Sequence, residues 1–296
     1  AQDVCDAAMS DEDCDGEVNV EGPDCICGDG YTSNDEQCDD GGTSSDDACS
    51  EICNDQNVLQ VAASLYRSCA LLTGGLVKCW GEGSFLGLGD ANQNRGDEPG
   101  EMGGGLPPVS LGTGKTATSV TVGCEHTCAL FGDGSVKCWG INNLGELGLG
   151  NTVGKGYDLN DMGDNLPSVS LGTGKTAMAI EAGCAHTCAL LNDGKVKCWG
   201  HASTGALGQG DTSPLGDGPD EMGDNLPVVD LGAGKTALAI SAGRSHNCAL
   251  LNDQSVKCWG GNTAGQLGLG DTNNRGDAPG EMGNSLPPVY LGAGKI

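Results

Sequence analysis

Asp11, Asp13, Asp15 and Gly16 follow one another as D-x-D-x-D-G. Carboxylates alternating in this way converge on one point, and the glycine permits the sharp turn that gathers them, which is the chemistry of a calcium loop. The twelfth position of such a loop, normally a glutamate, is Gly22, so Asn19 or Glu21 is left to complete the oxygen set. Residues 1–56 contain 18 acidic side chains and no Lys or Arg, which gives a divalent cation a strong electrostatic reason to bind there. A solvated acidic linker is the competing reading. Two further acidic groups, Asp90, Asp97, Glu98 and Glu101, and Asp211, Asp217, Asp220 and Glu221, lie in Gly-rich stretches where surface solubility accounts for most of their charge.

Thiols are the second chemistry. Seventeen cysteines in 296 residues are too many for a reducing cytosol unless they bind metal. The string CALLxDGxVKCWG recurs from Cys69, Cys128, Cys188 and Cys248. In the third copy Leu191 faces Lys195 across the loop Asn192, Asp193, Gly194, a turn that favours glycine in the left-handed region. Counting outward from that hydrogen-bonded pair sets Cys188 opposite Cys198 at a close, non-hydrogen-bonded position, where a disulfide fits. The same count joins Cys69 to Cys79, Cys128 to Cys138 and Cys248 to Cys258, with zinc as the alternative chemistry. Cys124 and Cys184 occupy one repeat position and suggest a bridge between neighbouring repeats, Ser64 or Leu65 and Arg244 standing in that place elsewhere.

Other motifs offer less. His126, His186 and His246, with Tyr66 in the first copy, share a strand position and are expected to close the packing between repeats rather than to hold metal. GTGKT at Gly112 and Gly172 lacks the first glycine of a phosphate loop, and RGD at Arg95 and Arg275 lies in turn-rich sequence. Met102, Met162, Met222 and Met282 recur at one position and suit apolar plugs. Neither a GxSxG elbow nor a matched pair of catalytic carboxylates is present, so an enzyme is not expected. A net charge of −27 opposes nucleic acid and anionic membranes, and no apolar run approaches the roughly 20 residues of a spanning helix.

The elements that must position these residues come from the repeat. Its period of 59 or 60 residues divides the chain into an acidic, cysteine-rich segment, 1–56, and an array, 57–296. Each copy offers four short strands, in the third Leu166–Leu171, Ala177–Ala182, His186–Leu191 and Lys195–Trp199, bounded by Gly, Asp or Pro. Helical periodicity is missing. The expectation is an all-β, β-propeller-type array of four-stranded antiparallel blades. On this count the first blade starts at Val58 without an LPxVxLG strand, and Leu286–Leu291 is left over at the other end. That strand could close a four-bladed ring, pass to the next molecule, or continue into a longer propeller.

The stretch SAGRSHNCALLNDQSVKCWGGNTAGQLGLGD, Ser241 to Asp271, resembles the regulator of chromosome condensation repeat, with its AGxxHxxAL and DGxVxxWGxNxxGQLG landmarks. The resemblance covers residues 57–296 and implies a propeller, usually of seven blades. The nucleotide exchange on a nuclear GTPase known in that family does not suit so acidic and cysteine-rich a chain. Secreted bacterial relatives use the scaffold to bind proteins, including a β-lactamase inhibitor. Cys27 to Cys53 resembles a myxobacterial-type cysteine-rich repeat, and DEDCDGEVNVE from Asp11 resembles a metal-binding motif of secreted bacterial proteins. The chain opening Ala1, Gln2, Asp3 suits a mature N-terminus after signal cleavage. Together these imply a secreted or cell-surface bacterial protein. The expected role is structural, assembling with itself head to tail by strand donation into a filament; the alternative is a scaffold, monomeric or closed, that binds another extracellular protein.

Overall fold

A computed structural model of the chain describes residues 57–90 and 93–292. The described residues form four antiparallel sheets of three strands each. Blade 1 contains β1 (Val58–Ala63), β2 (Arg67–Leu72) and β3 (Val77–Gly81); blade 2 contains β4 (Ala117–Val122), β5 (His126–Phe131) and β6 (Val136–Gly140). Blade 3 contains β7 (Ala177–Ala182), β8 (His186–Leu191) and β9 (Val196–Gly200); blade 4 contains β10 (Ala237–Ala242), β11 (His246–Leu251) and β12 (Val256–Gly260). The first strands of successive blades neighbour one another, β1 beside β4, β4 beside β7 and β7 beside β10. The blades are therefore arranged radially, with these strands innermost.

The middle strand of each blade is a short run with little polar alternation, such as HTCALF in β5, and in blades 2 and 3, where neighbouring blades cover both faces, it is buried throughout. Its hairpin to the third strand has the register expected from the turn. Cys188 lies opposite Cys198 and Leu190 opposite Val196, Gly194 takes φ 75°, and Leu191 N–H donates to Lys195 O at 2.8 Å. Glycine is needed at this turn for a second reason. A Cβ on Gly194 would stand 2.8 Å from Cβ of Thr236, the residue that precedes β10 in the next blade.

The expected fourth strand is corrected in two respects. Leu166–Leu171 forms no regular strand, and its one ladder contact runs to the preceding blade, Val169 N–H donating to Val136 O at 2.8 Å. The same bond links Val109 to Val77, Val229 to Val196 and Val289 to Val256. Each LPxVxL segment thus borders the third strand of its own blade. Blade 1 lacks nothing, and Leu286–Leu291 is not surplus, since it already edges β12. The Pro residues and the exposed Ser, Asp or Tyr within these segments explain why pairing stops at one bond.

The core is divided among the blade junctions. One face of a blade presents two Cys, Leu and Val from its second and third strands plus Val and Leu from its edge; the facing blade supplies Ala, Val or Ile, Leu or Phe, and Trp. Three such clusters fill the junctions 1–2, 2–3 and 3–4.

Candidate functional site

The cysteine pairs of the hairpins sit on one face of every blade. Cys69–Cys79, Cys128–Cys138, Cys188–Cys198 and Cys248–Cys258 are disulfides with Cα atoms 4.0 to 4.1 Å apart. Cys124 and Cys184 form a fifth, between blades 2 and 3, at a Cα separation of 4.4 Å. A backbone bond, Cys124 N–H to Cys184 O at 3.0 Å, holds these two segments together, and Cys184 N–H repeats it to Arg244 O of blade 4 at 2.9 Å. Arg244 and Leu65 therefore mark the bridge position in blades that lack the thiol.

The histidines start their strands, and those of blades 2 and 3 point across the junction to the next blade, while His246 of blade 4 is only partly buried. His126 Nε2 lies 2.8 Å from Thr187 Oγ1, and His186 Nε2 lies 3.1 Å from Asn247 Oδ1. Complete burial pushes the His126 imidazole down to about 3, with the Arg67 guanidinium adding to the effect; burial pushes His186 down to about 4 although its hydrogen bond to Asn247 opposes this. Both are neutral packing groups. The first-blade counterpart is Arg67 rather than Tyr66, because Arg67 pairs with Gly81 as His126 pairs with Gly140. Arg67 donates to Gly123 O and His126 O at 3.2 and 3.3 Å, and burial lowers its pKa to about 10.

Two internal junctions share a further set of bonds. Trp199 Nε1 and Thr187 Oγ1 both donate to Glu146 O at 3.0 Å, and Trp259 Nε1 and Asn247 Nδ2 donate likewise to Ala206 O. Gly150 and Gly210 N–H donate to Gly216 and Gly276 O. Ala177 and Ala237 N–H donate to the turn carbonyls of Gly134 and Gly194. Gly223 and Gly283 N–H donate to Ser170 and Asp230 O. Met222 and Met282 are plugs, their methyls packing within about 3 Å of where a Cβ on Gly148 or Gly208 would stand. Junction 1–2 keeps the last of these bonds, Gly163 N–H donating to Ser110 O at 2.9 Å, but departs elsewhere: the blade 1 loop from Gly81 to Leu86 is shorter than that from Gly140 to Leu147, and Trp139 Nε1 is left without a partner. Sequence reasoning missed the buried lysine of VKCWG. Lys137, Lys197 and Lys257 each donate Nζ to two backbone carbonyls at 2.7 to 3.0 Å, one in the preceding blade's edge and one in their own blade's loop. The signal was present as an invariable Lys inside an apolar strand.

The remaining motifs are consumed by the scaffold. The GTGKT lysines Lys115 and Lys175 pair with Asp133 and Asp193 of hairpin turns at 2.6 Å. Arg95 pairs with Asp90 and Arg275 with Asp271, which ties both RGD arginines to their own loops. Glu101, Glu221 and Glu281 each accept backbone N–H bonds from their loop. Asp211, Asp217 and Asp220 lie in the same loop as Glu221, where burial and the neighbouring Glu221 push the Asp217 carboxyl up. Among the described residues no group of three His, Cys, Asp or Glu could hold a metal ion, and no helix is long and apolar enough to cross a membrane. Asp11, Asp13, Asp15, Asn19 and Glu21, and the seven cysteines before Asn57, lie outside the described residues.

The faces at the two ends of the arc are the remaining feature. Val120 is fully buried at junction 1–2, whereas its equivalent Val61 in blade 1 is 70% exposed. Leu171 is 4% exposed and its equivalent Leu291 is 62% exposed. Met162 is 5% exposed and Met102 is 43% exposed. Beside Trp80, Tyr66, Gly96 and Asp97 an open pocket of about 530 Å³ occupies the place where blades 2 to 4 receive the glycine loop of the blade before.

A radial array of three-stranded blades with a tryptophan after each second cysteine has counterparts among known proteins. Residues 58–85, 117–146, 179–205 and 238–266 match the family described as Regulator of chromosome condensation (RCC1) repeat. The chain carries four RCC1 repeats. Its RCC1-repeat relatives include the ultraviolet-B receptor UVR8 of Arabidopsis thaliana, 33% identical over 227 residues, covering 74% of this chain and 45% of that protein. Protein pim1 of Schizosaccharomyces pombe is 29% identical over 256 residues, covering 83% of this chain and 44% of that protein. Among solved structures, human WBSCR16 superposes with a TM-score of 0.57 at 22% identity, covering 82% of this chain and 57% of that one. Prp20p of Saccharomyces cerevisiae superposes with a TM-score of 0.55 at 19% identity, covering 81% of this chain and 52% of that one. The chain thus spans about half the length of these proteins. The structural likenesses establish the fold.

Proposed function

We propose that this chain is a secreted, extracellular bacterial protein that acts by binding protein through its RCC1-repeat arc, without catalysis, and that it assembles with itself head to tail. The observation that carries the reading is the pair of uncovered end faces. Each retains the side chains that fill the internal junctions, and apolar faces of that extent mark interaction sites. Assembly runs through blade faces and not by donation of Leu286–Leu291, which its own blade already holds. Five disulfides among the described residues suit an oxidising compartment. Prp20p is known for its binding to Gsp1p and histones, which supports protein recognition by this scaffold. Calcium held by the segment around Asp11, Asp13 and Asp15 belongs to the same reading. A monomeric binding scaffold is the second reading, favoured by Leu59, Met178 and Leu238, equivalent exposed side chains at the start of the innermost strands.

Sedimentation of the purified protein over a wide concentration range, with and without calcium, tests the proposal. A mass that rises with concentration is expected. A sharply monomeric species at millimolar concentration would leave only the scaffold reading.

A further inference from the structure

The end faces carry the equivalents of most groups that meet at the internal junctions, which deepens the reading of self-assembly and rests on it. The acceptor end is blade 4. Gly265, Gln266 and Gly268 are exposed there, whereas Gly145, Glu146 and Gly148, their equivalents in blade 2, are buried under blade 3. The donor end is blade 1, with Ser68, Trp80 and Met102 where blade 3 has Thr187, Trp199 and Met222.

We propose that blade 4 of one copy receives blade 1 of a second copy in the geometry of the internal junctions 2–3 and 3–4. Trp80 Nε1 of the incoming copy then donates to Gln266 O, as Trp199 does to Glu146 O and Trp259 to Ala206 O. Gly270 N–H donates to Gly96 O, the counterpart of the bond from Gly210 to Gly276. The loop Gly265–Gly268 enters the pocket beside Trp80, and Met102 closes over Gly268. Val61 and Leu291, exposed in the single copy, become covered as Val120 and Leu171 are. Finally, Arg244 N–H meets Leu65 O, repeating the bonds that run from Cys124 to Cys184 and from Cys184 to Arg244. The partner is a second copy because the tryptophan, glycine loop, methionine plug and bridge-position backbone that an internal junction uses have counterparts on this chain's own opposite ends; the side-chain acceptor that Asp164, Asp224 and Asn284 supply at the internal junctions is missing, Gly104 standing in its place.

A second departure opposes the fit. The hairpin turn glycine of blades 2 and 3 is Gln254 in blade 4, held at φ 69°. A Cβ at Gly134 or Gly194 would come within 2.6 to 2.8 Å of the next blade's threonine, so the Gln254 side chain presses on Asn57 of the incoming copy. The contact between copies is accordingly weaker than the internal junctions. Gln254→Gly should strengthen association about tenfold, the scale on which relief of overpacking acts.

The bridge position supplies a trap. Leu65→Cys in one preparation and Arg244→Cys in another place one new thiol on each side of the proposed junction, at positions whose internal equivalents lie 4.4 Å apart. Mixing the two under mild oxidation should give a disulfide-linked dimer, faster with Gln254→Gly and abolished by Val61→Asp or Leu291→Asp. Val61 and Leu291 are exposed in the single copy, so these changes leave folding intact, and far-UV circular dichroism with the melting curve checks it. Mass of the unmodified protein is measured in parallel. Association without cross-linking, or cross-linking indifferent to Val61→Asp, overturns this junction while leaving self-assembly standing. A protein monomeric at every concentration overturns both.

Discussion

A buried imidazole without a countercharge sets a pH limit on the arc. His126 and His186 are wholly buried and their pKa values fall to about 3 and about 4, below the ordinary 6.5. Depression of this kind means that the unfolded chain takes up protons first. The stability contributed by the neutral rings is therefore complete above about pH 6.5 and is lost as pH falls through about 4 and then about 3. At pH 4.5 each ring should have cost the fold about 2–3 kcal/mol relative to pH 7. A double variant, His126→Gln with His186→Gln, keeps a polar group toward Thr187 and Asn247, and its melting temperature should vary less between pH 7 and 4.5 than that of the parent. An equal slope in the two proteins would assign the acid sensitivity elsewhere.

At the scale of the element, the hairpin bridges and the cross-blade bridge differ in what they constrain. Cys188–Cys198 closes a sequence separation of 10 residues, whereas Cys124–Cys184 closes 60 and fastens two blades. In the chain-entropy account the first is worth about 3 kcal/mol and the second about 4 kcal/mol. Cys124→Ser with Cys184→Ser should lower stability to denaturant by about 4 kcal/mol and leave each blade intact, since both side chains are partly exposed. Unchanged unfolding would show that the backbone bonds at this position suffice. The hairpin bridges were legible beforehand because a three-residue turn fixes register, and register fixes which cysteines meet. Allegiance of the fourth segment was not legible. Leu171 is separated from β7 only by Gly172–Thr176, while a long loop from Gly140 precedes Leu166, so proximity along the chain favoured the wrong blade. What decides it is one bond from Val169 to Val136, and the return of that loop depends on the buried Lys137 and the Met162 plug. Arg67, by contrast, was legible: it stands two residues before Cys69, as His126 stands two before Cys128, and its pairing with Gly81 agrees.

For the whole molecule, repetition means that stability is local: each blade rests on itself and its neighbours, so the array behaves as a chain of nearest-neighbour contacts. The first and last members of such a chain are the least secure, having one contact where the others have two. Blade 4 shows this in β11, where alternate positions are only half-buried although β5 and β8 are buried throughout. Hydrogen exchange should accordingly be fastest in blades 1 and 4 and slowest in blades 2 and 3, and association between copies should slow exchange at Val61 and along β11. Uniform protection across the four blades would contradict nearest-neighbour stability.

The five bridges also determine how the molecule yields to force. Every disulfide among the described residues joins positions close along the chain or in adjacent blades, so none of these prevents the blades from peeling away in succession, but each withholds length. A hairpin bridge conceals a separation of 10 residues, roughly 35 Å of extended chain, and Cys124–Cys184 conceals 60, roughly 200 Å. Stretched by its ends under oxidising conditions, the arc should lengthen in unequal steps, blades 1 and 4 giving way separately while blades 2 and 3 stay short. Adding a reductant should release about 300 Å of additional contour, about 200 Å of it from the cross-blade bridge and the rest from the hairpin bridges outside its span, readable in single-molecule pulling. The cross-blade disulfide is in this sense a limit on extension, placed in the middle of the array and not at its ends.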